Sequence, residues 1–198
     1  NNWNELKKKN QLKNEYIISL KSDYTKDTTQ LNNTLLLNRI EIKNLTKLKD
    51  SFAVGDFTTL EDFKSLFNQS GGILRLTNTY NTNSFNLLVS SGNIDLLHKE
   101  LREEIMELNR LQNFTNGVTL NNRDNFFRFM ENISLKYPSS LNPFNTKVPN
   151  GLLWNNVNMD ALPRDLTSYL GQYEITIVRY VQLTESVDLQ TEKVLNML

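Results

Sequence analysis

His98 is the only histidine among 198 residues, so any imidazole chemistry open to this chain would have to run through it. Asp95 stands three residues earlier, a spacing that puts two side chains on one helical face and can serve a metal ion. Two ligands do not complete a site, and no third stands at a matching interval. Ser90 and Ser91 could supply a nucleophile, but an activated serine needs a base that is itself oriented by a third group. Only His98, Asp95 and Arg102 lie near in sequence, and a surface or capping histidine is the simpler reading. The absence of cysteine removes thiolate catalysis, disulfides, iron–sulfur clusters and thiolate zinc sites together. Gly71-Gly72 followed by Arg75 lacks the glycine spacing and the Lys-Ser/Thr of a phosphate loop and reads as a helix stop. The chain is therefore expected to be non-enzymatic, with no cofactor and no metal; a hydrolase built on His98 is the weakest alternative.

Three other groups could bind rather than react. The turn Ser90-Ser91-Gly92-Asn93 could offer backbone amides to an anion, although Asn93 or Ser91 as a helix cap, with Gly92 at positive φ, is the stronger expectation. The carboxylates Glu100, Glu103, Glu104 and Glu107 read as the solvated face of a helix, paired with Lys99, Arg102 and Arg110. The aromatics Trp154, Tyr169, Tyr173 and Tyr180 could line a groove, but three- and four-residue spacing usually marks a core. Ser90, Ser91, Asn93 and Trp154 are the candidate ligand or interaction residues.

Twenty-two basic and twenty-two acidic residues give no net field to hold a polyanion, which argues against a nucleic-acid partner. No apolar run reaches the roughly 18 residues of a membrane span, and no signal peptide is present.

The elements that would position these residues are helical. Apolar residues recur at helical spacing from Trp3 through Leu12, Tyr16, Leu20, Tyr24, Leu31, Leu35 and Leu45 to Phe52. A continuous helix of that length would reach roughly 75 Å, so a break near Thr25 to Thr29, or a projecting stalk over residues 1–12, is expected. Gly55 stops it. Thr58-Thr59-Leu60-Glu61 reads as a capping box opening a short second helix. Residues 73–82 read as extended coil, 83–90 as a brief helix, and Asp95 to about Asn113 as a longer one ended by Asn116-Gly117. A further helix runs from about Asn122 to Lys136, and Pro138 ends it. The proline- and asparagine-rich stretch 138–163 is an irregular loop. From about Leu162, the residues Leu166, Leu170, Tyr173, Ile177, Tyr180, Thr184, Val187, Thr191 and Leu195 trace a last helix, in which Gly171 would let a neighbour approach closely. The expected fold is all-α: one domain over 1–198, an elongated helical bundle with long N- and C-terminal helices paired and shorter helices between.

Two segments resemble a known family. Asn1-Asn2-Trp3-Asn4-Glu5 is similar to the stretch directly after the membrane helix in a large family of uncharacterised single-pass proteins of Bacteroidota. The run Phe85-Asn86-Leu87-Leu88-Val89-Ser90-Ser91-Gly92-Asn93-Ile94-Asp95-Leu96-Leu97, followed by Glu100-Leu101-Arg102 and Ile105, resembles the family's central motif. After Ile105 this chain has Met106-Glu107-Leu108 where the family tends to show aromatics. The resemblance implies an anchor upstream of Asn1, in the bacterial inner membrane, with the helical domain facing the periplasm. Lys7-Lys8-Lys9 close to the membrane exit pulls towards the cytoplasmic side, since positive charge prefers it, and the family's basic N-terminus would have to outweigh it. Trp3 at such an exit suits the headgroup region. The function expected is a membrane-anchored extracytoplasmic module for protein interaction or sensing, with a second copy among the possible partners. The alternative is a small-ligand receptor with a pocket under the 138–163 loop.

Overall fold

The apolar stripe that begins at Trp3 is carried by one unbroken helix, α1 (Asn2–Val54), in a computed structural model that describes residues 2–55, 59, 61, 62, 65, 76, 78–137 and 157–198. The break expected near Thr25 to Thr29 does not occur. Thr25 Oγ1 donates to the Lys21 carbonyl at 2.7 Å and Thr29 Oγ1 to the Thr25 carbonyl at 2.9 Å, so these hydroxyls bond back along the helix rather than opening it. Asp27, on the inward stripe between Tyr24 and Leu31, is only 1% exposed and finds partners elsewhere in the fold. α1 ends at Val54, with the Gly55 N–H still bonded to the Ser51 carbonyl at 2.9 Å.

The capping box sits one residue later than the sequence suggested. Thr59 Oγ1 accepts from the Asp62 N–H at 3.3 Å, while the Asp62 carboxylate accepts from the Thr59 N–H at 3.0 Å and its hydroxyl at 2.6 Å. Aspartate, shorter than Glu61, closes the reciprocal pair tightly.

After a stretch without regular structure at 78–82 come α2 (Asn83–Ser90), a single 3-10 turn (Asn93–Leu96), α3 (Lys99–Lys136) and α4 (Leu162–Met197). The two helices expected either side of Asn116-Gly117 are one. The inward stripe of Leu101, Ile105 and Leu108 continues through buried Gln112, Thr115 and Thr119 to Phe126, so the helix runs through despite the roughly 1 kcal/mol that a mid-helix glycine costs. A Cβ built on Gly117 meets nothing within 4 Å, and the same holds at Gly171, where the close helix approach expected from the sequence is absent. Gly117→Ala and Gly171→Ala should each raise stability, by about 0.5–1 kcal/mol; urea unfolding of the two variants checks this.

By its internal contacts the chain divides into two compact units. One comprises Asn1–Leu36, Thr77–Val118 and Gln182–Leu198; the other comprises Leu37–Leu76 and Thr119–Val181. In the first, Tyr16, Leu20, Tyr24 and Leu31 of α1 pack with Phe85 and Leu88 of α2, with Leu101, Ile105 and Leu108 of α3, and with Val187 and Val194 of α4. Lys193 Nζ reaches the Glu104 carboxylate at 2.7 Å and Gln190 Nε2 donates to it at 2.8 Å, which holds that carboxyl below its usual range.

In the second unit, Leu45 and Leu48 of α1 share a core with Phe126 and Ile133 of α3, with Tyr137 just beyond α3, and with Leu162, Leu166, Tyr169, Leu170 and Tyr173 of α4. Tyr173 stacks on Phe126 and Tyr169 at centroid distances of 5.6 and 6.1 Å, and its hydroxyl donates to Glu41 at 2.8 Å. The aromatics of α4 are therefore core and do not line a groove. Lys136 and Tyr137 both bond the Asp165 carboxylate at 3.0 Å; the lysine holds Asp165 below its usual range, while burial and that carboxylate push the Tyr137 phenol up to about 12. Within each unit the first and last helices share a core, so the long terminal helices are paired in an all-α bundle.

Candidate functional site

The Ser90–Asn93 turn lies in the first unit, where α2 hands over to the 3-10 turn. Gly92 takes φ +69°, the left-handed conformation that glycine alone adopts freely, and stands at the N-cap of the 3-10 turn. No side chain caps that turn, so the expected Asn93 or Ser91 cap is absent. The reason is a competing set of partners. Ser91 Oγ donates to the Leu87 carbonyl at 2.7 Å, using its single proton on the last turn of α2. Tyr16 of α1 must then donate to Ser91 Oγ across 3.1 Å, and Asn93 Nδ2 donates to Tyr16 Oη at 3.0 Å and to Ser91 Oγ at 2.8 Å. The three side chains are bonded to one another, and Ser91 in addition to the Leu87 carbonyl. Ser90 Oγ donates to the Leu87 carbonyl at 3.3 Å and is exposed.

The motif thus ties α2 to α1 through the side chains of Ser91 and Asn93. Beside it lies a recess of about 320 Å³ lined by Leu12, Glu15, Tyr16, Ser19, Asn83, Ser84 and Leu87. Trp154 lies outside the described residues, as does most of the 138–163 loop; at the loop's described ends a recess of about 550 Å³ is lined by Lys136, Tyr137, Asn158, Ala161, Arg164 and Asp165 among others.

A second tie, missed in the sequence, grips the segment that leads into α2. Asp27 accepts from the Asn81 N–H at 2.9 and 3.2 Å and from Asn81 Nδ2 at 2.6 Å. One turn earlier, Asp23 accepts the Ser84 N–H at 3.2 Å, so a carboxylate from another helix takes one of the orphan donors at the start of α2. Burial first, and the charge of Asp23 last, push the Asp27 carboxyl up, against the pull of the Asn81 bonds. Burial also raises the Tyr24 phenol. The signal for this tie was present in the sequence: an aspartate on an otherwise apolar stripe marks a buried carboxylate with dedicated donors.

His98 is exposed and precedes α3 rather than lying within it; its carbonyl accepts the Arg102 N–H at 3.0 Å. Asp95, in the 3-10 turn, pairs with Arg102. Among the described residues no group of three or more His, Cys, Asp or Glu could hold a metal ion. The glutamate ladder is partly as expected: Lys99 pairs with Glu103 and Arg110 with Glu107, but Arg102 turns to Asp95 and Glu104 turns inward to α4. Next to it a wider recess of about 760 Å³ is floored by Val89, Ile94 and Met106 and edged by Arg102, Glu103, Glu107 and Arg110.

No curated protein and no solved structure matches the chain. A family model, described as a family of unknown function (DUF6090), matches residues 1–134. With two thirds of its length under that one model, from the exposed start of α1 through the Ser90–Asn93 turn and almost all of α3, the chain belongs to the DUF6090 family.

Proposed function

We propose that this chain is the extracytoplasmic part of a single-pass protein of the bacterial inner membrane, a non-enzymatic helical module that works by binding another protein. One observation carries the reading: α1 is helical from Asn2, yet every residue from Trp3 to Gln11 is exposed. A helical end with nothing packed on it is marginal in water and frays, because helices draw most of their stability from a covered face. A membrane helix running into α1 would continue it and supply the missing support. The likeness of Asn1-Asn2-Trp3-Asn4-Glu5 to a stretch that follows such a helix points the same way. For the binding role, Leu87, Val89 and Met106 are exposed in the same unit, the last two within the wider recess. Among the described residues no helix is long and apolar enough to cross a membrane; on this reading the anchor lies upstream of Asn1.

The codons before Asn1 test this directly. The reading expects one apolar segment of about 20 residues ending within a few positions of Asn1. A hydrophilic domain at that place would contradict it.

A further inference from the structure

The chain as a whole is neutral, but its first turns are not. Between Trp3 and Lys13 the lysines 7, 8, 9 and 13 face the single carboxylate Glu5, a local excess of three positive charges. Among the described residues, none of Lys7, Lys8 and Lys9 pairs with a carboxylate. Consecutive helical residues are about 100° apart, so three lysines in a row spread charge across roughly 200° of the helix, and Trp3 and Leu6 fall in the remaining arc. One turn below the lysines, Trp3 is 71% and Leu6 59% exposed, and the Lys7 ammonium sits 5.4 Å from the Trp3 ring centroid. That contact holds an indole beside a cation, the pairing that suits the boundary between acyl chains and charged headgroups.

We infer that Lys7, Lys8 and Lys9 form a collar that binds the anionic phosphates of phospholipid headgroups where α1 stands out of the bilayer, with the Trp3 indole seated one turn nearer the membrane. The inference rests on the membrane-anchored reading for its orientation, but its binding surface lies wholly within this chain and can be measured without any anchor.

The test is co-sedimentation of the 198-residue chain with vesicles of phosphatidylcholine alone and of phosphatidylcholine mixed with phosphatidylglycerol. The collar predicts about tenfold or stronger partitioning onto the anionic vesicles at low salt, lost at high salt, because each lysine near an anionic surface contributes separately to the attraction. The triple variant K7E/K8E/K9E should fall to the level seen on neutral vesicles while keeping the wild-type melting temperature, since all three residues are exposed. Trp3→Ala should weaken binding several-fold. Equal binding to both vesicle types, no binding to either, or undiminished binding by the triple variant would overturn the collar. None of those results bears on the anchor, which the upstream codons decide separately.

Discussion

Removal of residues 176–198 should leave a chain whose helices no longer hold together at room temperature. The deletion takes Ile177, Tyr180, Val181, Leu183, Val187 and Val194, each 7% exposed or less. At roughly 1.5–3 kcal/mol for each buried apolar side chain, the loss is on the order of 10 kcal/mol, comparable with the whole stability of about 5–15 kcal/mol of an ordinary domain. It also bares the faces of α1 and α3 that Val187 and Val194 cover, and it leaves Glu104 without Gln190 and Lys193. Circular dichroism and thermal melting of the truncated chain check this: helicity per residue should fall well below that of the full chain, with no cooperative transition. Retention of both would mean that α4 is not the partner of α1 and that another copy of the chain covers the stripe.

Asp27→Ala should cost about 2 kcal/mol at neutral pH. The substitution strips the Asn81 N–H and Nδ2 of their acceptor in a buried place, where an unsatisfied donor costs about 1–3 kcal/mol. Burial pushes the Asp27 carboxyl up, so ionising it already costs the native state something, and this relief keeps the loss from being larger. The sign of the pH dependence follows. With the folded pKa above the unfolded value of about 3.9, the native state holds the proton more tightly, and the stability from that difference is fully present below the unfolded value and lost as pH rises through the folded one. The gap in unfolding free energy between wild type and Asp27→Ala should thus be widest in acid and narrow as pH rises. Asp165 and Glu104, held low by their partners, weaken both proteins alike as pH falls, so they cancel in the difference. Urea unfolding of both proteins across the acid range measures it, and a gap that widens with rising pH would show that the Asn81 bonds outweigh burial.

The helices were legible because a 3.6-residue period needs no knowledge of partners. On α4 the stripe from Leu166 to Thr191 is buried at every position that the periodicity selects. α2 falls on 83–90 as the sequence suggested. What periodicity could not convey is which polar residues on a stripe are satisfied by another segment. Thr25 to Thr29 looked like a break because the hydroxyls compete for the backbone; the helix runs through because they bond back along it and because Asp27, 1% exposed, is held by Asn81. Gly117 looked like a stop because a glycine's cost is local, whereas the buried run either side of it is not. Trp3 and Leu6 fit the inward period and yet are exposed, since periodicity places a residue on a face but does not say how far along the helix that face is covered.

The candidate site was legible only in part. Ser-Ser-Gly-Asn announced a turn with a left-handed glycine, and that is what stands there. Its long-range partner Tyr16, 75 residues from Ser91, had no mark in the sequence beyond lying on the α1 stripe.

The most direct test of the account as a whole is protease accessibility of the full-length protein, tagged at its C-terminus, in intact spheroplasts. The protein should sediment with the inner membrane and resist alkaline extraction, and added protease should remove the tag without lysis. Release of the protein by the alkaline wash, or a tag protected until the cells are broken, would contradict an anchored domain facing the periplasm.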